Sequence, residues 1–143
     1  MKAIGYHQSL PVDSPDALQD IELPEPSPGP RDLLVKVSAI SVNPVDTKVR
    51  RNSAPEAGQA KVLGWDAVGT VQAVGAEVQG FAAGDRVYYA GAINRPGANA
   101  QLHLVDERIA ARAPASLDGA HAPAMPLTPT TAWELLFVRL RVP

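Results

Sequence analysis

The sequence predicts a mainly β domain with short helices, an α+β fold, on three observations. The 14 prolines and 11 glycines are scattered through 143 residues instead of forming one tract, so the elements between them are short. Residues 32–42 alternate, with Val35, Val37 and Ala39 on one face and Lys36 and Ser38 on the other, the period of a half-buried strand. Residues 62–75 are apolar and broken by Gly64, Gly69 and Gly75, as in a bulged or sharply bent barrel strand.

The elements follow in order. Residues 2–6 read as a first strand and residues 18–23 as a second. Pro24, Pro26, Pro28, Gly29 and Pro30 make a rigid connector that neither a helix nor a central strand accepts. The strand at 32–42 comes next. Asn43 is a suitable N-cap with Pro44 at the first helical position, so residues 44–51 form one or two helical turns. Small and polar residues at 54–60 mark a loop. After the 62–75 stretch, residues 78–81 lead to a turn at Gly84-Asp85 and a strand at 86–90. Further strands are expected at 98–105 and 108–112. Residues 116–125, capped by Ser116, and residues 130–140 read as helices. In the second, Trp133, Leu136, Phe137 and Leu140 share one stripe, which must pack on something.

Composition narrows the function. Lys+Arg 13 against Asp+Glu 15 gives a net charge of -2 with no basic block, which speaks against a nucleic-acid partner. The chain has no cysteine, so disulfides, thiolate zinc sites and cysteine nucleophiles are excluded together. The N-terminus has no signal-peptide pattern and no segment is long enough to span a bilayer. A cytoplasmic protein without a membrane partner is the expectation.

Four segments carry a family resemblance. They are Ala39-Ile40-Ser41-Val42-Asn43-Pro44-Val45-Asp46-Thr47-Lys48-Val49-Arg50, then Leu63-Gly64-Trp65-Asp66-Ala67-Val68-Gly69-Thr70-Val71 with Val74-Gly75. Phe81 with Gly84-Asp85-Arg86-Val87 follows, and last Ala122-Pro123-Ala124-Met125-Pro126-Leu127-Thr128-Pro129-Thr130-Thr131-Ala132-Trp133. In this order they resemble the medium-chain dehydrogenase/reductase superfamily, in its quinone-oxidoreductase branch often labelled zinc-binding alcohol dehydrogenase. The resemblance implies a GroES-like, partly open β-barrel over residues 1–127. It implies that residues 128–143 begin a linker helix to a nucleotide-binding domain.

Zinc members of that superfamily hold the metal with Cys, His and Cys. At the matching places stand Asn43, Trp65 and, approximately, Leu127. An amide, an indole and an alkyl group make no tetrahedral zinc site, so no metal is expected. His7, His103 and His121 are scattered without ligand spacing and read as surface or packing residues.

The resemblance then implies hydride transfer from NADPH to a quinone, enone or enal. Such acceptors are already electrophilic, so positioning and a few hydrogen-bond donors suffice. Carried over from the family, Asn43 lies near nicotinamide and substrate, and its amide can donate and accept; capping the short helix is a compatible role. Asp46 orients the loop or pairs with a base. Trp65 is a pocket wall or a core aromatic, with Asp66 in the neighbouring acid position. Of Tyr88 and Tyr89 one points inward, since strand residues alternate, and Tyr88 is taken as the candidate phenolic donor. Thr131, and secondarily Thr128, match positions that pack against the nicotinamide.

No Gly-x-Gly-x-x-Gly occurs, so the backbone cradle for a pyrophosphate is absent from these residues. Residues 1–143 alone are expected to bind NADPH weakly and to lack reductase activity. The full-length protein is expected to act on a small molecule, and the resemblance allows a homodimer. The competing readings are a zinc alcohol dehydrogenase and a non-enzymatic GroES-like binding module.

Overall fold

The computed structural model describes residues Met1–Pro143. Eight strands form two open sheets. They are β1 Lys2–Tyr6, β2 Gln19–Glu22, β3 Asp32–Ser41, β4 Lys61–Val62, β5 Asp66–Val74, β6 Arg86–Ala90, β7 Leu102–Asp106 and β8 Ala110–Arg112. The smaller sheet runs β2-β1-β4 and the larger β7-β3-β5-β6-β8, with all pairs antiparallel. Neither sheet closes, so the fold is the predicted partly open, mainly β barrel with peripheral helices.

The alternation read in residues 32–42 is what builds the core. Leu33 and Val35 are buried, Lys36 and Ser38 are exposed, and Val37 packs at the margin. Leu33 and Val35 share this core with Ala67, Val71, Val87, Tyr89 and Val105 from other strands of the larger sheet, and with Ala98 from the segment before β7. A second, smaller cluster of Tyr6, Leu63 and Trp65 lies under α1, Pro44–Asn52, through Val45 and Val49.

Two irregularities shape the barrel. The β3–β5 register shifts between Leu34 and Val35 and again between Val37 and Ala39, and such bulges bend the strand. Gly69 lies opposite Val37, where a Cβ would press on the Lys36 carbonyl and the Val35 side chain. Gly64 has φ +89, a left-handed conformation that favours glycine. It breaks the apolar 62–75 stretch into β4 and β5.

Several elements differ from the sequence reading. No helix forms over residues 116–125. Asp118 Oδ1 instead accepts the N–H groups of Ala120, at 2.9 Å, and His121, at 2.8 Å. This local side-chain turn competes with a helix, and only a single 3-10 turn, Ala122–Ala124, remains. The last helix starts earlier, as α2 Leu127–Trp133, and continues as π-helical turns over Glu134–Arg139. Its apolar stripe covers nothing within this chain: Trp133 is 64% exposed and Phe137 45%, and the two rings rest on each other at 4.5 Å. The strand expected at 98–105 begins only at Leu102. Before it, Asn99 N–H donates to Leu63 O and Gln101 N–H to Lys2 O, stitching the two sheets together. The segment expected as a strand at 108–112 opens with a 3-10 turn, Glu107–Ile109, before β8.

Candidate active site

The register of the central strands builds the site. Ser41, at the end of β3, pairs with Asp66, at the start of β5. The chain then leaves β3, and Asn43 stands two residues further on, beside Asp66. Asn43 occupies the N-cap position of α1 with extended backbone, φ -121 and ψ 161, and Pro44 begins the helix. Its side-chain amide turns toward the barrel, where Nδ2 donates to Asp66 Oδ2 at 2.9 Å.

Asp46 fixes this arrangement. Its carboxylate accepts the Asn43 N–H at Oδ2, 2.8 Å, and the Gly64 N–H at Oδ1, 2.9 Å. One buried side chain therefore ties the first turn of α1 to the glycine bend that delivers Trp65 and Asp66. Both oxygens are engaged by backbone donors, so Asp46 orients the loop and meets no base.

Asp66 is fully buried, at 0% exposure. Burial pushes its carboxyl above the ordinary carboxylate range; the Asn43 bond and the Leu127 N–H oppose that shift, and the charge of Asp46 adds to it. Oδ1 of Asp66 is buried without a hydrogen-bond partner. The structure thus brings the Asn43 amide to one buried acid. The sequence alone marks Asp66 only as the acid beside Trp65. Only the β3–β5 register reveals that it holds Asn43.

Trp65 points away from this group into the Tyr6–Leu63 cluster, and its indole Nε1 is buried without a partner. The core reading of Trp65 matches that placement. His103 is the buried histidine of the three, while His7 and His121 are exposed. No three His, Cys, Asp or Glu side chains gather where they could hold a metal ion.

Tyr88 and Tyr89 divide as alternation requires. Tyr89 is in the core, stacked on His103 with centroids 5.4 Å apart and with its hydroxyl 3.0 Å from His103 Nδ1. His103 Nε2 lies 3.0 Å from the Pro96 carbonyl. A carbonyl only accepts, so Nε2 carries the proton and Nδ1 accepts from the Tyr89 hydroxyl. Burial lowers the His103 pKa to about 4 and raises that of Tyr89. Tyr88 faces the other way, into a cavity of about 460 Å³ lined by Ile109, Met125, Pro126, Pro129 and Thr130 but not by Asn43.

Thr128 and Thr131 are exposed on α2. The Thr131 hydroxyl donates back to Leu127 O at 3.1 Å, which leaves its lone pairs available.

A family model described as the alcohol dehydrogenase GroES-like domain matches residues 29–130. A zinc-type alcohol dehydrogenase-like protein of Staphylococcus aureus is 43% identical over 142 residues, 99% of this chain and 42% of the relative. A crystal structure of a proposed zinc-dependent alcohol dehydrogenase from Rhizobium etli superposes with TM-score 0.95 at 56% identity, over 99% of this chain and 41% of that one. The quinone oxidoreductase of Escherichia coli, solved with NADPH, superposes with TM-score 0.78 at 30% identity, over 95% and 40%. The chain thus spans about two fifths of the length of these proteins.

Proposed function

The chain belongs to the alcohol dehydrogenase GroES-like family, and from that premise we propose that it is the catalytic domain of a zinc-free, NADPH-dependent reductase of quinones or activated C=C bonds. The observation that carries the reading is the occupancy of the positions where zinc-binding relatives hold their metal. One is an amide locked to a buried acid, one is an indole packed in a core, and one is a leucine, whose side chain carries no ligand atom. Some of its relatives are named for zinc, but the donor set here does not fit that ion, and no step is assigned to it.

NADPH, when bound, supplies the hydride and an electrophilic acceptor receives it. On this reading residues 1–143 provide one wall of the cleft, with a nucleotide-binding domain as the other. Asn43, with Thr131 and Thr128, would line the nicotinamide side. Thr131 can accept there through its hydroxyl, and Asn43 offers a carbonyl oxygen and a second N–H. Acceptor activation is modest: a preorganised donor meets the oxygen on which negative charge develops. Tyr88 is the candidate for that donor from the α2 side, since Tyr89 has committed its hydroxyl to His103. Asp46 and Asp66 act by holding the Asn43 loop. The reading places the protein in the cytoplasm, acting on a small molecule.

The test is NADPH oxidation by the full-length protein with a benzoquinone and a simple enone, before and after dialysis against a strong chelator. Equal turnover in both supports the reading. Loss of activity restored by added zinc refutes it.

A further inference from the structure

A carbamoyl group fits the same space with either end forward, its oxygen and its nitrogen being nearly the same size. Its neighbours decide which end faces which way. For Asn43 the deciding neighbour is Asp66, wholly buried, with Oδ2 at 2.9 Å from Asn43 Nδ2. An ionised carboxylate has only acceptors. While Asp66 is ionised, turning the amide over would set the Asn43 oxygen against a carboxylate oxygen with no proton between them, where little water can intervene. Asp66 itself has little freedom, because its backbone pairs with Ser41 on one side and Ala90 on the other. Its second oxygen has no hydrogen-bond partner, and Oδ2 is held by the Asn43 amide.

We propose that Asp66 is the positioning residue for Asn43: it takes the amide nitrogen, and a bound molecule then meets one fixed presentation of the amide's oxygen and second N–H. The inference rests on the reading of Asn43 as a residue of the reductase cleft. Asp66 is buried and acts through Asn43, so it is not itself a catalytic residue.

The test is the side-chain amide spectrum of Asn43 in ¹⁵N-labelled protein, which needs neither turnover nor cofactor. The wild type is expected to show two widely separated amide protons, one downfield and slow to exchange. Asp66→Asn keeps an acceptor oxygen and preserves the separation, while Asp66→Ala collapses it to that of an exposed asparagine. In the wild type the same pair is expected to move as the Asp66 carboxyl titrates. Asp46 is the charged group that acts on Asp66, so its carboxyl is followed in the same experiment. A wild-type pair already at exposed values, or one indifferent to the Asp66 titration, overturns the proposal without any variant having to fold.

In the full-length protein Asp66→Ala is expected to lower kcat/KM about tenfold, with Asp66→Asn recovering most of the loss. Equal losses in both variants would mean that charge, not amide orientation, matters, and would also overturn it. If the wild type reduces no quinone or enone, the reductase reading fails, while the amide spectrum still decides the role of Asp66.

Discussion

Asn43 donates its side-chain N–H to Asp66 across 23 residues of sequence, at 2.9 Å, and this is the only side-chain hydrogen bond that Asp66 makes. The bond therefore offsets the cost of burying a carboxyl group. Asn43→Ala should destabilise the domain by about 1–3 kcal/mol, the penalty of a buried polar group left unpaired. In the double variant Asn43→Ala/Asp66→Ala the losses should be less than additive, because the second change removes the orphaned group. Urea denaturation of the three variants checks this, and strict additivity would show that the two side chains are energetically independent.

Asp46 carries more of the stability than its exposed neighbours on α1. Asp46→Ala unpairs the Asn43 and Gly64 N–H groups at once, and a loss of about 2–4 kcal/mol is expected from two backbone donors. Asp46→Asn, with one acceptor oxygen, should fall between the variant and the wild type. A urea midpoint unchanged in Asp46→Ala would remove Asp46 from the account of how the loop is held.

Stability should fall in acid because of His103. Its folded pKa, about 4, lies below the ordinary value of 6.5, so between those values the unfolded chain binds the additional proton. The contribution of neutral His103 is complete above about pH 6.5 and is lost as the pH falls toward 4, by at most about 3 kcal/mol. Asp66 works in the opposite sense. Its raised pKa favours folding at low pH, and that contribution is lost as the pH rises through the folded value. Thermal melts from pH 4 to 8 should show the acid-side loss in the wild type and a flatter profile in His103→Gln. Identical profiles would contradict the buried Tyr89–His103–Pro96 chain.

Gly64 and Gly80 separate strain from collision. Both have positive φ, +89 and +88, but an added Cβ meets Asn99 at Gly64 and nothing within 4 Å at Gly80. Gly80→Ala should cost about 1 kcal/mol from backbone strain. Gly64→Ala should cost at least about 2 kcal/mol more, through displacement of Asn99 from the seam between the sheets. Equal melting temperatures for the two variants would mean that the 63–99 seam is loose.

What the sequence disclosed and what it hid follow from distance along the chain. The face of β3 that holds Leu33 and Val35, and the start of α1 at Asn43-Pro44, depend on local alternation and capping, so they are legible residue by residue. The division of labour between Tyr88 and Tyr89 follows from strand alternation, but that Tyr89 is the inward one depends on β7 bringing His103 alongside. Asp66 was hidden for the same reason: its partner is set by the Ser41–Asp66 register, and β3 is bulged. The misread helix at 116–125 has a local cause, since Asp118 captures two backbone N–H groups that a helix would have used. Gly119 weakens the alternative further.

The central claim is metal-free hydride transfer at a cleft built around Asn43. The most direct measurement uses full-length protein stripped of metal, NADPH deuterated at the transferable C4 position, and a simple enone. Deuterium recovered on the β-carbon of the reduced product, at a rate cut by Asn43→Ala, is the predicted result. Product without deuterium, or turnover that appears only when zinc is returned, would contradict the account.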